Sequence, residues 1–238
     1  MMYCQFVLYC SLFLAFLSNQ SALEVATFEA AYRSAKTLRA TFLERYSENG
    51  NVLRAEAGTA YFRRPGKMRW EYESPDKNLF LVDGKSAWFY VPADHTVTKV
   101  PAKQSGDWRT PFAFLTGDVR LARICSQVIM APQQPEPSSG VVRLRCTFRK
   151  ASSSGQSGGR VANPADTRED KAEFDLERET GLLRRVFVHD PGGVDIEFEF
   201  KNWQFDPPVP SEFFRFSPPP GVAIVNGESS ASNGGINR

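Results

Sequence analysis

VDIEFEFK, residues 194–201, sets Val194, Ile196, Phe198 and Phe200 on one side of an extended chain and Asp195, Glu197, Glu199 and Lys201 on the other. This alternation has the two-residue period of a β-strand with one buried face and does not fit the 3.6-residue period of a helix. Working outward, the same pattern recurs: Val142, Leu144, Cys146 and Phe148 oppose Arg143, Arg145, Thr147 and Arg149, while Met68, Trp70 and Tyr72 alternate with Lys67, Arg69 and Glu71. Strands are predicted at 40–47, 52–62, 67–73, 78–83, 86–92, 96–100, 120–130, 141–149, 171–178, 182–189 and 193–204, with a short last one at 213–216. Pro65-Gly66, Asp83-Gly84, Thr180-Gly181 and Pro191-Gly192-Gly193 supply turn chemistry between them. The spacing is that of an antiparallel meander.

One long helix is legible. Phe28, Ala31, Ala35 and Leu38 fall at i, i+3, i+7 and i+10, with Thr27 as the N-cap. WRTPFAFLTG, 108–117, breaks the strand rhythm and reads as a short helix from about Pro111, either a plug or a lid. Two Pro/Gly/Ser-rich segments, 132–140 and 151–170, read as polar loop insertions, and the tail 226–238 as disordered. FVLYCSLFLAFL, 6–17, is an apolar run with no charge before Glu24, the core of a cleavable signal peptide assigned to 1–22. The expectation is export and a single domain over 23–225; the compartment, the periplasm, is what the family resemblance below implies.

The net charge of +2, with both signs interspersed, excludes an electrostatic nucleic-acid surface. Catalysis is hard to assemble: His95 and His189 neighbour no nucleophile or metal motif, and neither a nucleophile elbow nor a phosphate-binding loop is present. No cofactor or metal is implied. The acidic rows Asp195/Glu197/Glu199 and Glu173/Asp175/Glu177 read as solvated sheet faces. Removing the signal leaves Cys125 and Cys146. With Met130 opposite Val141 across a hairpin, antiparallel counting also places the two cysteines opposite each other, so a disulfide or two half-buried thiols are the open readings.

Roughly eleven strands with one apolar face offer far more surface than one helix and one short segment can cover. The sheet either closes as a filled barrel or lines a cavity. By themselves Arg64 is a turn-flanking cation, and Met68, Trp70, Phe80, Trp88, Tyr90, Phe112, Phe114 and Leu115 are ordinary core.

The run GTAYFRRPGKMRWEYESPDKNLFLVDGKSAWFYVPADHTVTKV (58–100), with TPFAFL (110–115) and FFRFSPPPGVAIV (213–225), resembles the outer-membrane lipoprotein carrier family, LolA. The pieces that carry the likeness are Arg64-Pro65 followed by Trp70, Asp83-Gly84 before Trp88-Phe89-Tyr90, and Phe216-x-Pro-Pro-x-Gly-Val. The resemblance implies an incomplete, strongly curved antiparallel half-barrel whose concave apolar face lies under a lid of the N-terminal helix and the 108–117 region. It implies a monomeric carrier of acylated lipoproteins rather than an enzyme. Its partners would be an inner-membrane lipoprotein-releasing ABC transporter and an outer-membrane acceptor. A carrier of another lipid, or a lipid-sensing periplasmic regulator of similar fold, is the alternative. By the same resemblance Arg64 is the lid latch, Arg63 a surface charge, and the eight apolar residues above line the cavity or lid. Met68 stands where Phe is usual and Glu44 where Gln is usual.

Overall fold

The computed structural model describes residues 20–102, 110–117, 119–131, 140–149, 171–190 and 193–227. Residues 1–19 of the expected signal peptide, Trp108, nearly all of both polar insertions and the tail beyond 227 lie outside them. A helix, α1 (20–33), precedes β1 (Thr37–Glu48), β2 (Asn51–Arg63), β3 (Lys67–Ser74), β4 (Leu79–Val82), β5 (Ser86–Val91) and β6 (Thr96–Pro101). A 3₁₀ helix (Thr110–Thr116) and the single helical turn α2 (Leu121–Ile124) follow. Then come β7 (Cys125–Met130), β8 (Val141–Phe148), β9 (Lys171–Glu177), β10 (Leu183–Asp190), β11 (Val194–Phe205), a further 3₁₀ turn (Ser211–Phe214) and β12 (Ala223–Asn226).

The strands hydrogen-bond in the order β12-β6-β5-β4-β3-β2-β1-β11-β10-β9-β8-β7, so the sheet is open, with β12 and β7 as its edge strands. The fold is mainly β, as the alternation indicates, with twelve strands among the described residues. Several boundaries differ from expectation. Thr27 lies inside α1 and donates its hydroxyl to the Leu23 carbonyl at 3.0 Å, one turn back, so it is not the cap. The extended chain begins at Thr37, which takes Leu38 from the helix. Residues 121–124 are helical rather than the start of β7. The last strand is 223–226, parallel to β6, while 213–214 belong to a 3₁₀ turn.

The chain separates into two compact units. The first comprises residues 1–31, 45–54 and 120–199, and the second 32–44, 55–119 and 200–238.

In the first unit, Val142, Leu144, Cys146, Phe174, Leu176, Ile196 and Phe198 are buried on one face of β8, β9 and β11. Cys125 and Cys146 are joined by a disulfide with a Cα separation of 5.4 Å. The strand register differs from the one counted from sequence: Met130 faces Leu144, and an irregularity between Cys125 and Gln127 brings Cys125 opposite Phe148. The three-residue offset at Met130 is set by the connection between the strands, which no count across a loop of unknown form can anticipate, and the bulge changes the pairing by one further residue at Cys125.

The other face of this unit corrects the reading of its acidic rows. Cross-strand register sets Arg143 opposite Asp175, Asp175 opposite Arg185, and Arg185 opposite Glu199. Arg143 donates Nε to Asp175 Oδ1 at 2.6 Å and Nη2 to Oδ2 at 2.8 Å, and both residues are buried. Around this pair Arg145 binds Glu173, Arg185 binds Glu197, and Arg45 binds Glu197 and Glu199. The rows are paired, not merely solvated. The outer pairs are half-exposed and contribute little each, whereas halving the buried bidentate pair would leave a buried charge with only a longer contact, Glu173 at 3.7 Å from Arg143 or Arg185 at 3.6 Å from Asp175.

In the second unit, the β2–β3 register shifts between Ala57 and Gly58, with Glu73 of β3 as the extra residue of the bulge. A Cβ at Gly58 would lie 1.9 Å from the carbonyl oxygen of Glu71, so only glycine allows β2 and β3 this approach. Gly58→Ala should therefore lower stability by about 2–3 kcal/mol, read as a reduced urea midpoint with an unchanged slope. An unshifted midpoint would mean that the bulge relaxes freely.

Candidate functional site

The Trp70 face of the second unit is built by β3. Met68, Trp70 and Tyr72 are all buried, while Lys67, Arg69 and Glu71 point the other way and are partly exposed. Register places Trp70 between Ala60 of β2 and Phe80 of β4, and Met68 between Phe62 and Val82. Phe42 of β1 packs edge-on against Trp70 with centroids 4.9 Å apart, and Phe62 does so at 5.7 Å. The 110–116 helix delivers Phe112 onto this surface, 5.3 Å from Trp70 and 5.4 Å from Phe200, with Phe114 and Leu115 also buried. Aromatic rings meeting edge to face add about 0.5–1.5 kcal/mol per pair beyond the apolar area they bury. The structure therefore brings Met68, Trp70, Phe80, Phe112, Phe114 and Leu115 together in the buried part of one unit.

Trp203 joins them, 5.5 Å from Phe200 and 5.2 Å from Tyr32. An odd-numbered residue of β11 should face away from Phe200, but Asn202 takes φ +56° and resets the alternation. The sequence singled out neither Trp203 nor Tyr32.

Trp88 and Tyr90 are on the other face, which corrects their placement with Trp70. Their cross-strand neighbours are Leu81 and Leu79, and Leu81 pairs in turn with Arg69, whereas Phe89 aligns with Phe80 and Trp70. Phe216 covers them, 5.4 Å from Trp88 and 5.5 Å from Tyr90, and Lys99 Nζ sits 4.6 Å over the Trp88 ring. Phe213 lies on Tyr61 of the same face, with the Arg69 guanidinium 4.4 Å from its ring. The segment after β11 supplies cover for this face, so both faces of β5 are packed.

Arg64 heads the turn between β2 and β3, where Gly66 takes φ +65°. Its guanidinium donates Nη1 to the Arg33 carbonyl at 2.5 Å and Nη2 to the Tyr32 carbonyl at 2.6 Å, with Nε 3.4 Å from the Leu115 carbonyl. The last carbonyls of a helix have no partner within it and carry its negative dipole end. A planar cationic fork with several donors satisfies both demands at once. The turn is braced beside it, since Arg64 N donates to the Lys36 carbonyl and Gly66 N to the Thr116 carbonyl, both at 3.0 Å. Arg63, read as a surface charge, is half-buried and donates Nη1 to the Val209 carbonyl at 2.8 Å.

Glu44 is buried, and the Tyr72 hydroxyl donates to its Oε2 at 2.5 Å. Sequence marked Glu44 only as a departure from glutamine. Its partner was not legible because Tyr72 lies on another strand.

Two carboxyls close the ends of elements here. Partial burial pulls the Asp83 carboxyl up, but the N–H groups of Ser86, Trp88 and Lys85 outweigh it and hold it below its ordinary value of 3.8. Asp206 accepts from the backbone N–H of Thr37 and Lys36, which lowers it from 3.8 as well. A carboxyl depressed in the fold stabilises it fully above its unfolded value and loses that contribution as pH falls through the folded one. Urea unfolding of the wild type should therefore lose more stability between pH 5 and pH 3 than that of the Asp83→Asn/Asp206→Asn double variant. Equal losses would remove both groups from the acid response.

Among the described residues no three His, Cys, Asp or Glu side chains gather as a metal site, and no helix is long and apolar enough to cross a membrane. His189 contacts Asp195 across the β10–β11 hairpin and is exposed.

Comparison with known proteins matches residues 33–144 to the family model described as outer membrane lipoprotein carrier protein LolA. A second model, described as a predicted periplasmic protein, matches residues 179–226. The outer-membrane lipoprotein carrier protein of Nitrosospira multiformis is 28% identical over 222 residues, covering 90% of this chain and 94% of that one. The protein of that name from Photobacterium profundum is 28% identical over 180 residues, covering 75% and 76%. Among solved structures, a LolA superfamily protein from Nitrosomonas europaea aligns with a TM-score of 0.43 at 6% identity, over 82% of this chain and 97% of that one. The matched segment 33–144 contains Arg64, the strand bearing Trp70 and the 110–116 helix, and the relatives align along most of both chains; over that length the chain is similar to outer-membrane lipoprotein carrier proteins.

Proposed function

We propose that this protein is a periplasmic carrier that receives the acyl chains of lipoproteins leaving the inner membrane and delivers them to the outer membrane. Arg64 is the observation that carries the reading. Its side chain spends its donors on the end carbonyls of α1 and on the 110–116 segment, the two pieces of chain that accompany the aromatic Trp70 face. Such a grip makes sense if those pieces must part from that face and return. The Trp70 face is the acyl site, with Met68, Trp70, Phe80, Phe112, Phe114 and Leu115 as its lining and lid, and Arg64 is the latch.

The physical need for a carrier is large. At about 0.8 kcal/mol per buried methylene, one chain of about sixteen carbons resists transfer to water by roughly 12 kcal/mol. A site that offers comparable burial must still let go without an energy source. A latched closed state does this, because binding must first open it and the cost of opening weakens net affinity. An inner-membrane ABC transporter as donor and an outer-membrane acceptor complete the proposal, and no reaction is assigned to the protein itself.

The direct test of the site uses a fluorescent fatty-acyl probe and the intrinsic fluorescence of Trp70. The wild type should bind the probe, with lipoprotein acyl peptides displacing it, and Phe112→Asp should abolish binding while circular dichroism remains that of the folded protein. Probe binding that survives Phe112→Asp would place the acyl site elsewhere.

A further inference from the structure

We propose that the turn between β9 and β10, residues 178–181, is a second clasp on α1, acting along its earlier turns as Arg64 acts on its last carbonyls. Two observations in the first unit converge on it, and a third shows the same helix held from α2. Gly181 is buried at φ +69°, and a Cβ there would lie 2.7 Å from the Thr27 carbonyl oxygen and 2.9 Å from the Phe28 nitrogen. The turn backbone thus abuts the helix backbone with no room for a side chain. From the same turn Arg178 Nη1 reaches Glu24 Oε1 at 2.6 Å; Glu24 is buried although Arg178 itself is half-exposed. Glu29, one turn further along α1, accepts from the backbone N–H of Leu121 at 2.9 Å.

The turn is itself stiff. Gly181 N donates to the Glu177 carbonyl at 2.7 Å, the Thr180 hydroxyl to Glu177 Oε2 at 2.8 Å, and Leu182 N to Thr180 Oγ1 at 3.2 Å. A braced turn pressed on a helix fixes that helix in position and in rotation. Backbone contact at Gly181 sets how close the helix lies, and the Glu24–Arg178 pair sets which face it turns inward. Phe28, between Glu24 and Glu29 in sequence, is fully buried. Apolar burial of Phe28 would tolerate some sliding of α1; a charge pair and a carboxylate–amide bond flanking it do not. Movement of residues 24–29 of α1 then requires release at 178–181.

The clasp is a claim about α1 alone; its consequence for cargo rests on the carrier reading. Hydrogen exchange on the full chain tests the clasp without cargo. In Arg178→Ala, amides of residues 24–31 should exchange about two- to fivefold faster, the size expected for a partly exposed ion pair, while amides of β3 and β8 are unchanged. Gly181→Ala should accelerate the same amides about tenfold or more, because its backbone is left-handed and its Cβ meets a carbonyl. The swap Glu24→Arg/Arg178→Glu should return them toward wild type. No change in α1 with either single variant overturns the proposal. So does acceleration spread equally over β3 and β8, which would mean general loosening, and so does failure of the swap to restore protection. In the loaded protein, Arg178→Ala should also slow acyl release. If α1 responds as stated and no acyl cargo ever binds, the clasp stands and the carrier reading falls.

Discussion

Arg64→Leu is expected to slow the release of bound acyl chains by about 30-fold while leaving the fold intact. Leucine keeps the bulk of the turn but removes every donor, so the carbonyls of Tyr32, Arg33 and Leu115 exchange the guanidinium for water. Hydrogen bonds from a charged donor contribute about 1.5–3 kcal/mol, and two short ones are lost. Part of this returns when the carbonyls are hydrated, which leaves about 2 kcal/mol taken from the closed, unloaded state. The loaded state has already surrendered those bonds and is unaffected, so net affinity rises by the corresponding factor of about 30. Transfer to acceptor vesicles, followed by time-resolved separation, reads the rate. Arg64→Lys should fall between the two, since an ammonium is a point donor and cannot span both carbonyls. Wild-type transfer by Arg64→Leu would remove Arg64 from the latch.

Asp175→Ala should cost about 3–5 kcal/mol of stability, the largest loss expected from any single side chain of the first unit. The pair it forms with Arg143 is bidentate and buried, and truncating the acid leaves the guanidinium without its two hydrogen bonds and with Glu173 Oε2, 3.7 Å from Nε, as a remaining counter-charge. For a chain of this size the melting temperature should fall by roughly 10 °C or more. Replacing both partners, as in Arg143→Met/Asp175→Leu, should recover most of the loss, because two apolar side chains need no counter-charge. Double-variant stability as low as that of Asp175→Ala would show that the pair stabilises through more than its own compensation.

These two residues also mark the limits of what sequence conveys. The strands themselves are legible, since one buried face prints its alternation directly, as in Ile196, Phe198 and Phe200. Which face is which is not. β5 is packed on both sides, Phe89 toward Trp70 and Trp88 and Tyr90 beneath Phe216, so its aromatic cluster carries no alternation that could assign them. Local backbone exceptions hide other positions. The left-handed Asn202 turns Trp203 toward Phe200, and the offset at Met130 together with the irregularity after Cys125 moves the hairpin register while the disulfide still forms. Long-range polar pairings are the third blind spot. The acidic rows of β9 and β11 look solvated until the arginines of β8, β10 and β1 are set beside them. Arg64 reads as a turn cation because its acceptors lie 31, 32 and 51 residues away.

The family resemblance compensates for part of this, because Arg64-Pro65 with Trp70 behind it marks the latch candidate before any distance is known. It does not reach Arg178 and Gly181, or the Glu24 and Thr27 they respectively meet, which become visible only when the β9–β10 turn is seen against α1.

The central claim is that acyl chains occupy the Trp70 face in the cell. Mass spectrometry of the protein purified without detergent from its own compartment addresses it directly. Wild type should co-purify with acylated lipoprotein, Arg64→Leu should retain more of it, and Phe112→Asp should carry none. A wild-type protein that emerges free of acylated cargo, under conditions that load an established lipoprotein carrier, would contradict the account.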